Sequence, residues 1–266
     1  MKEYFISEID IEKLYHLSDI KIKLDSNKRQ HLLLTGKNGS GKTSLLLEIE
    51  KFLRAINDEK LSQVFDQYPT WINEAKKKVL SASSDSEKYA ADKDLKQCLG
   101  FLKKYSDGVQ INLNQYEGLE MMYHNGKFIT AYFPSERKAQ FMRPNGVENI
   151  TLENTYGIDE SAGDILLKYM VHLKTQQAYA RNEGDQTTAN QIQKWFDRFD
   201  SALQILLDEE SIHIEYDYKK YDFKIRQNGR EPFSFNELSD GYSSVIYIVS
   251  DLILRMDKNW LLEDKI

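Results

Sequence analysis

The stretch LLLTGKNGSGKTSLLLEI, residues 32–49, constrains the fold more than any other part of the chain. It runs from an apolar segment through a glycine-rich turn into a helix-forming segment. Residues 36–43, GKNGSGKT, satisfy G-x-x-x-x-G-K-[ST] in full, a pattern that a chain of this size contains by chance on the order of 1% of the time. Each residue type answers a physical need. Gly36, Gly39 and Gly41 let the backbone turn tightly, so that successive N–H groups, including those of Lys37, Asn38 and Ser40, point inward as an anion nest. A helix beginning near Lys42 adds the positive end of its dipole. Lys42 places a flexible ammonium on the terminal phosphates, Thr43 offers a hydroxyl to magnesium, and Ser44 completes the first turn. The expected ligand is a nucleoside diphosphate or triphosphate.

At 266 residues the chain can form one large domain or two small ones. With 41% hydrophobic and 29% charged residues it carries neither a disordered nor a membrane composition. The formal net charge of -6 supplies no bulk attraction for nucleic acid. Cys98, the single cysteine, has no partner for an internal disulfide, and MKEYFISEIDIEK has charges where a signal peptide needs an apolar core. A cytoplasmic protein is expected. VIYIVSDLIL is interrupted by Ser250 and Asp251 and falls short of the ~20 apolar residues of a membrane span.

Hydrophobic periodicity predicts two short strands between residues 6 and 24, with a turn near 15–19, and a buried strand at 31–35. Leu45, Ile49, Phe52, Leu53 and Ile56 then predict a helix of about four turns. Residues 58–105 read as helical with a break at 81–88, where Lys76 to Lys78 form a solvated face. VQINL predicts a strand, and Asn125-Gly126 predicts a two-residue hairpin ending at Phe133. Two long helices are expected in 159–208 around a break at Glu183, Gly184 and Asp185. Three more strands follow, with Asn228-Gly229 as a second hairpin signal, before a final helix near Ser239 with an apolar core face of Val245, Ile248, Val249, Leu252 and Met256. The architecture expected is α/β, with mixed sheets and an inserted helical lobe. It divides into a nucleotide-binding core at 1–158, a helical subdomain at 159–208, and a β-hairpin with its helix at 209–266.

GKNGSGKTSLL resembles the phosphate loop of the ABC-type ATPases, in particular the branch containing SMC, RecF and the OLD-like bacterial defence ATPases. The opening ISEIDIEKLYHLSDIKIKLDSNKRQHLLLTG is similar to that branch's two leading strands, whose turn often carries an aromatic-arginine pair; here it reads Leu14, Tyr15, His16. Leu238, Ser239 and Gly241 are similar to the signature L-S-G-G-Q, with Asp240 for the first glycine and Tyr242 for glutamine. The resemblance implies a P-loop NTPase fold, ATP and Mg2+ as ligands, and a homodimer in which the signature faces the γ-phosphate held by the other subunit. It also implies a part in phage defence or DNA maintenance. Pro134, Ser135, Glu136 and Arg137 occupy the place of the Q-loop, with Gln140 the nearest glutamine; a solvated loop explains them as well. Arg137, Lys138 and Arg143 are candidates for contacting a partner or nucleic acid.

The family's apolar strand ending in Asp-Glu, which holds magnesium and activates water, has no clear counterpart. After Met256 only DKNWLLEDKI remains, in which Trp260, Leu261 and Leu262 are too short a run for a buried strand and Glu263 and Asp264 stand in reverse order. No catalytic residue is identified. His16, His31, His124, His172 and His213 show no metal-ligand spacing. The expectation is a chain lacking the core from that strand onward, through truncation or because a partner chain supplies the rest, with truncation favoured. Rival readings are a non-catalytic module that assembles on ATP, and a small-molecule kinase.

Overall fold

The computed structural model describes residues 3–135 and 141–263, with side chains through 257. The chain divides into two compact units, Met1–Thr130 and Ala131–Ile266. The expected boundaries at 158 and 208 both fall within the second, so the helical pair and the C-terminal hairpin and helix belong to one body.

In the first unit, β1 (Ile6–Leu14) and β2 (Leu17–Lys23) form an antiparallel hairpin, and β3 (Val109–Leu113) pairs with the other edge of β1, giving the order β2-β1-β3. Alternation along β1 sends Ile9 and Ile11 to one face, where they meet Val109 and Ile111. Helix α1 (Lys42–Asn57) adds Leu45, Phe52, Ala55 and Ile56 to the same core. The entry to β3 requires Gly108, whose carbonyl accepts from the N–H groups of Glu12 and Lys13 and whose φ is +75°; a Cβ there would stand 2.0 Å from the Lys13 oxygen. Two helices fill the space between α1 and β3. Pro69 opens α2 (Tyr68–Ser81), and a Ser84–Glu87 capping box opens α3 (Asp85–Lys103). Lys76 to Lys78 are exposed on α2, as expected.

Three expectations for this part of the chain are corrected. Residues 31–35 are not a strand: Leu33 is 85% exposed, and both edges of β1 are already taken by β2 and β3. A three-leucine run becomes a strand only by pairing, and neither the outer edge of β2 nor that of β3 pairs with it. The Asn125-Gly126 hairpin is also absent. Residues Leu119–His124 form helix α4, which ends in a Schellman cap: the Gly126 N–H donates to the Tyr123 carbonyl and the Lys127 N–H to that of Met122. Both sheets are antiparallel throughout rather than mixed.

In the second unit, α5 (Leu166–Asn182) and α6 (Gln186–Leu207) flank the expected break, where the Asp185 side chain caps α6 by accepting from the Thr188 N–H. A sheet of order β4-β5-β6 (His213–Asp217, Asp222–Arg226, Phe233–Ser234) packs on them through Trp195, Phe196, Phe199 and Phe223. Asn228-Gly229 does lie in the β5–β6 connection.

The last helix, α7 (Asp240–Glu263), overturns the expected core face. Val245 and Met256 are 41% and 49% exposed, while Ile246, Tyr247, Ser250, Asp251, Leu254, Arg255 and Asp257 are buried. The reason is a satisfied polar cluster. Arg255 pairs with Asp251 and donates to the carbonyls of Gly157 (3.1 Å) and Glu160, while Asp251 accepts the Gly163 N–H at 3.0 Å. With their hydrogen bonds met inside, these charged groups can occupy the face that apolar periodicity assigns to the core.

Candidate nucleotide site

β1 and β2 pair through Leu14 and Leu17, which leaves Tyr15 and His16 as a two-residue turn at the end of the sheet. Tyr15 has φ 54°, sparsely populated for a bulky residue, and is 77% exposed. This tip meets the glycine-rich loop. A Cβ on Gly41 would stand 2.8 Å from Leu17 Cδ1 and 3.7 Å from His16 Cε1, and Gly41 has φ +90°. Glycine is required there both for the backbone conformation and for the approach of the hairpin.

Within the loop, the Ser40 N–H donates to the Lys37 carbonyl at 3.2 Å and closes the turn. Lys42 Nζ donates to the carbonyls of Gly36 (2.8 Å) and Lys37 (3.0 Å), with Ser40 Oγ at 3.5 Å. The ammonium thus lies across the turn, held by backbone oxygens, and no described carboxylate pairs with it. α1 starts at Lys42 with Gly41 as its N-cap, and its first turn contains no acidic residue. A glycine cap leaves the first N–H groups of the helix to an outside acceptor.

Residues 38–44 line an open concavity of about 540 Å³, with Tyr15 and His16 forming the rest of its wall. No lining residue carries a negative charge, and Lys42 carries a positive one. Such a lining favours an anion, and the exposed Tyr15 ring offers an apolar face beside it. Thr43 is exposed in the first turn of α1. Among the described residues, no group of three His, Cys, Asp or Glu side chains could hold a metal alone. A magnesium ion bound through Thr43 and phosphate oxygens needs no such group. Sequence spacing identifies residues 36–44; Tyr15 and His16 enter the sequence reading only through the resemblance, as the turn between the two leading strands. The gap between two alternating runs marks a turn, but periodicity does not say which loop that turn will face.

The signature residues lie in the second unit. A capping box of Ser234 and Glu237 opens a short 3-10 turn at Phe235–Glu237, after which Leu238 is extended and Ser239 precedes α7. The Ser243 N–H donates to the Ser239 carbonyl at 2.8 Å. Ser239, Asp240, Gly241 and Tyr242 are all exposed at this helix start. Pro134 and Ser135 are exposed and without regular structure, while Glu136, Arg137, Lys138 and Gln140 lie outside the described residues; Arg143 is exposed. Residues 257–263 continue α7 and form no strand, and Asp264 lies outside the described residues. No described helix is long and apolar enough to cross a membrane. Compared with known proteins, the chain matches no family model, no curated sequence and no solved structure.

Proposed function

We propose that this chain is the ATP-binding part of an ABC-type, SMC/RecF/OLD-like ATPase with a P-loop NTPase core. The observation that carries the reading is the Lys42 ammonium, held over a carboxylate-free concavity at the start of α1 by a loop that matches the phosphate-loop pattern in full. On binding, Lys42 Nζ exchanges its two backbone carbonyls for phosphate oxygens, the N–H groups of the loop cradle the phosphates, and Thr43 contributes its hydroxyl to Mg2+. Tyr15 stacks on the base. The exposed start of α7 is then available to the nucleotide of a second copy, with Ser239 as hydroxyl donor.

Residues 31–35 fit this reading as a segment whose strand neighbours come from outside the chain. Their backbone belongs to neither sheet, and Leu32 and Leu33 are exposed. The same reading assigns to this chain the holding of ATP and to another segment the carboxylates that activate water; a role in phage defence or DNA maintenance follows only from the resemblance. Phosphate release and molar mass by light scattering, both with Mg2+-ATP, test the proposal. The expected outcome is ATP-dependent doubling of mass, lost in Lys42→Ala and Ser239→Arg, with no turnover. Lys42-dependent transfer of the γ-phosphate to a small-molecule acceptor, with no change in mass, would replace it with the kinase reading.

A further inference from the structure

A separate cleft in the first unit, also of about 540 Å³, is lined by β3 together with residues of α2 and α3. We propose that it takes a short extended peptide segment of a partner protein, whose backbone pairs with Ile111 and whose apolar side chains fill the cleft.

Gln110 and Ile111 are consecutive strand residues and point to opposite faces of the sheet. Both line the cleft, which therefore runs along the outer edge of β3, the edge that no described strand covers. The Glu12 N–H donates to the Gly108 carbonyl at 3.0 Å, and this bond sets the phase of the β1–β3 ladder. With residues 12 and 108 bonded, antiparallel alternation turns the backbone groups of Gln110 toward Asp10 and those of Val109 and Ile111 outward. The Val109 carbonyl is met by the Ser106 hydroxyl at 2.7 Å. The outward N–H and C=O of Ile111 have no partner among the described residues, and Ile111 is buried. A buried donor and acceptor left unmet cost stability until a ligand or water supplies their partners. An extended peptide added to a sheet edge offers one N–H and one C=O to such a residue.

The rest of the lining suits the side chains of that peptide. Val64 and Phe65 come from the turn at Gln63–Gln67, Ile72 from α2, and Leu99 and Leu102 from α3. The turn is π-helical, a form frequent at functional sites. Among the charged lining residues, Lys103 pairs with Asp107 at 3.3 Å, while Lys76 and Glu12 have no ion-pair partner among the described residues. These two are opposite in sign, so the cleft does not select a free anion. It fits an apolar segment that carries one acidic and one basic side chain.

The probe is a fluorescein-labelled, capped peptide in which valine and threonine alternate between a lysine and a glutamate. It is titrated against the full chain by fluorescence anisotropy without nucleotide, so its failure leaves the reading of residues 36–44 standing. Two further peptides are N-methylated on alternate residues, each along a different edge of the extended strand. Saturable binding is expected, weakened about tenfold by methylation along one edge and little changed by methylation along the other, because only one edge pairs with β3. Leu99 is 43% exposed, so Leu99→Trp narrows the cleft without opening the core and is expected to weaken binding by a similar factor. Far-ultraviolet circular dichroism confirms that the variant is folded. Amide hydrogen exchange at Ile111, followed by nuclear magnetic resonance, is expected to slow when the unmethylated peptide binds. Equal affinity of the two methylated peptides, unchanged binding to Leu99→Trp, or unchanged exchange at Ile111 would overturn the proposal. So would the absence of binding up to about 1 mM peptide. Uptake of a small apolar dye, blocked by Leu99→Trp, with no binding of peptide would assign the cleft to a small molecule instead.

Discussion

Single residues show where local chemistry overrides pattern. Asp257 is buried and accepts a hydrogen bond from the Tyr169 hydroxyl. Burial pushes its carboxyl up to about 6, and the hydrogen bonds from Tyr169 and Trp195 only partly oppose that rise. The folded chain therefore keeps this proton to about pH 6, whereas an unfolded aspartate releases it near 3.9. Raising the pH across that interval removes stability from the fold, by about 3 kcal/mol at most. Asp257→Asn, which cannot ionise, is expected to raise the melting temperature relative to wild type at pH 8 and to lose that advantage by pH 4, as thermal unfolding at both pH values would show. Gly41→Ala is expected to impair nucleotide binding about as much as Lys42→Ala, because a methyl group meets Leu17 at 2.8 Å in a left-handed backbone. Equilibrium titration with a fluorescent ATP analogue reads that effect.

At the scale of elements, α7 makes the sharpest case. Its buried ion pair fixes residues 156–163 through backbone hydrogen bonds. Removing one partner leaves a buried charge, so Arg255→Met is expected to cost about 3–5 kcal/mol in chemical denaturation. The double change Asp251→Leu with Arg255→Met should cost less than Arg255→Met alone, since it leaves no orphan charge. Periodicity located α1, α5, α6 and α7 because each is long enough for its pattern to repeat. It chose the wrong face of α7 because Asp251 and Arg255 satisfy each other and the 156–163 backbone, a match invisible in a linear pattern. Asn125-Gly126 misled for a related reason: the same dipeptide serves a hairpin turn and a helix end, and the six residues of α4 are too few to show a helical period. The phosphate loop was legible because its chemistry is local. Residues 31–35 were misread because a strand is defined by its neighbours.

For the whole molecule, each unit has its own buried cluster: Ile9, Phe52 and Ile111 belong to the first, and Trp195, Phe223 and Leu254 to the second. Each is large enough to fold cooperatively. Calorimetry is expected to resolve two unfolding transitions, of which Mg2+-ATP raises the one belonging to the first unit. The account's central claim is that the loop at residues 36–44 holds a nucleotide through Lys42. Equilibrium binding of Mg2+-ATP to the full chain, beside Lys42→Ala, tests it most directly. The account expects saturable binding that weakens by about ten- to a hundredfold in the variant, since a charge-assisted hydrogen bond contributes about 1.5–3 kcal/mol. Equal affinity of the two proteins, or no binding by wild type, would contradict it.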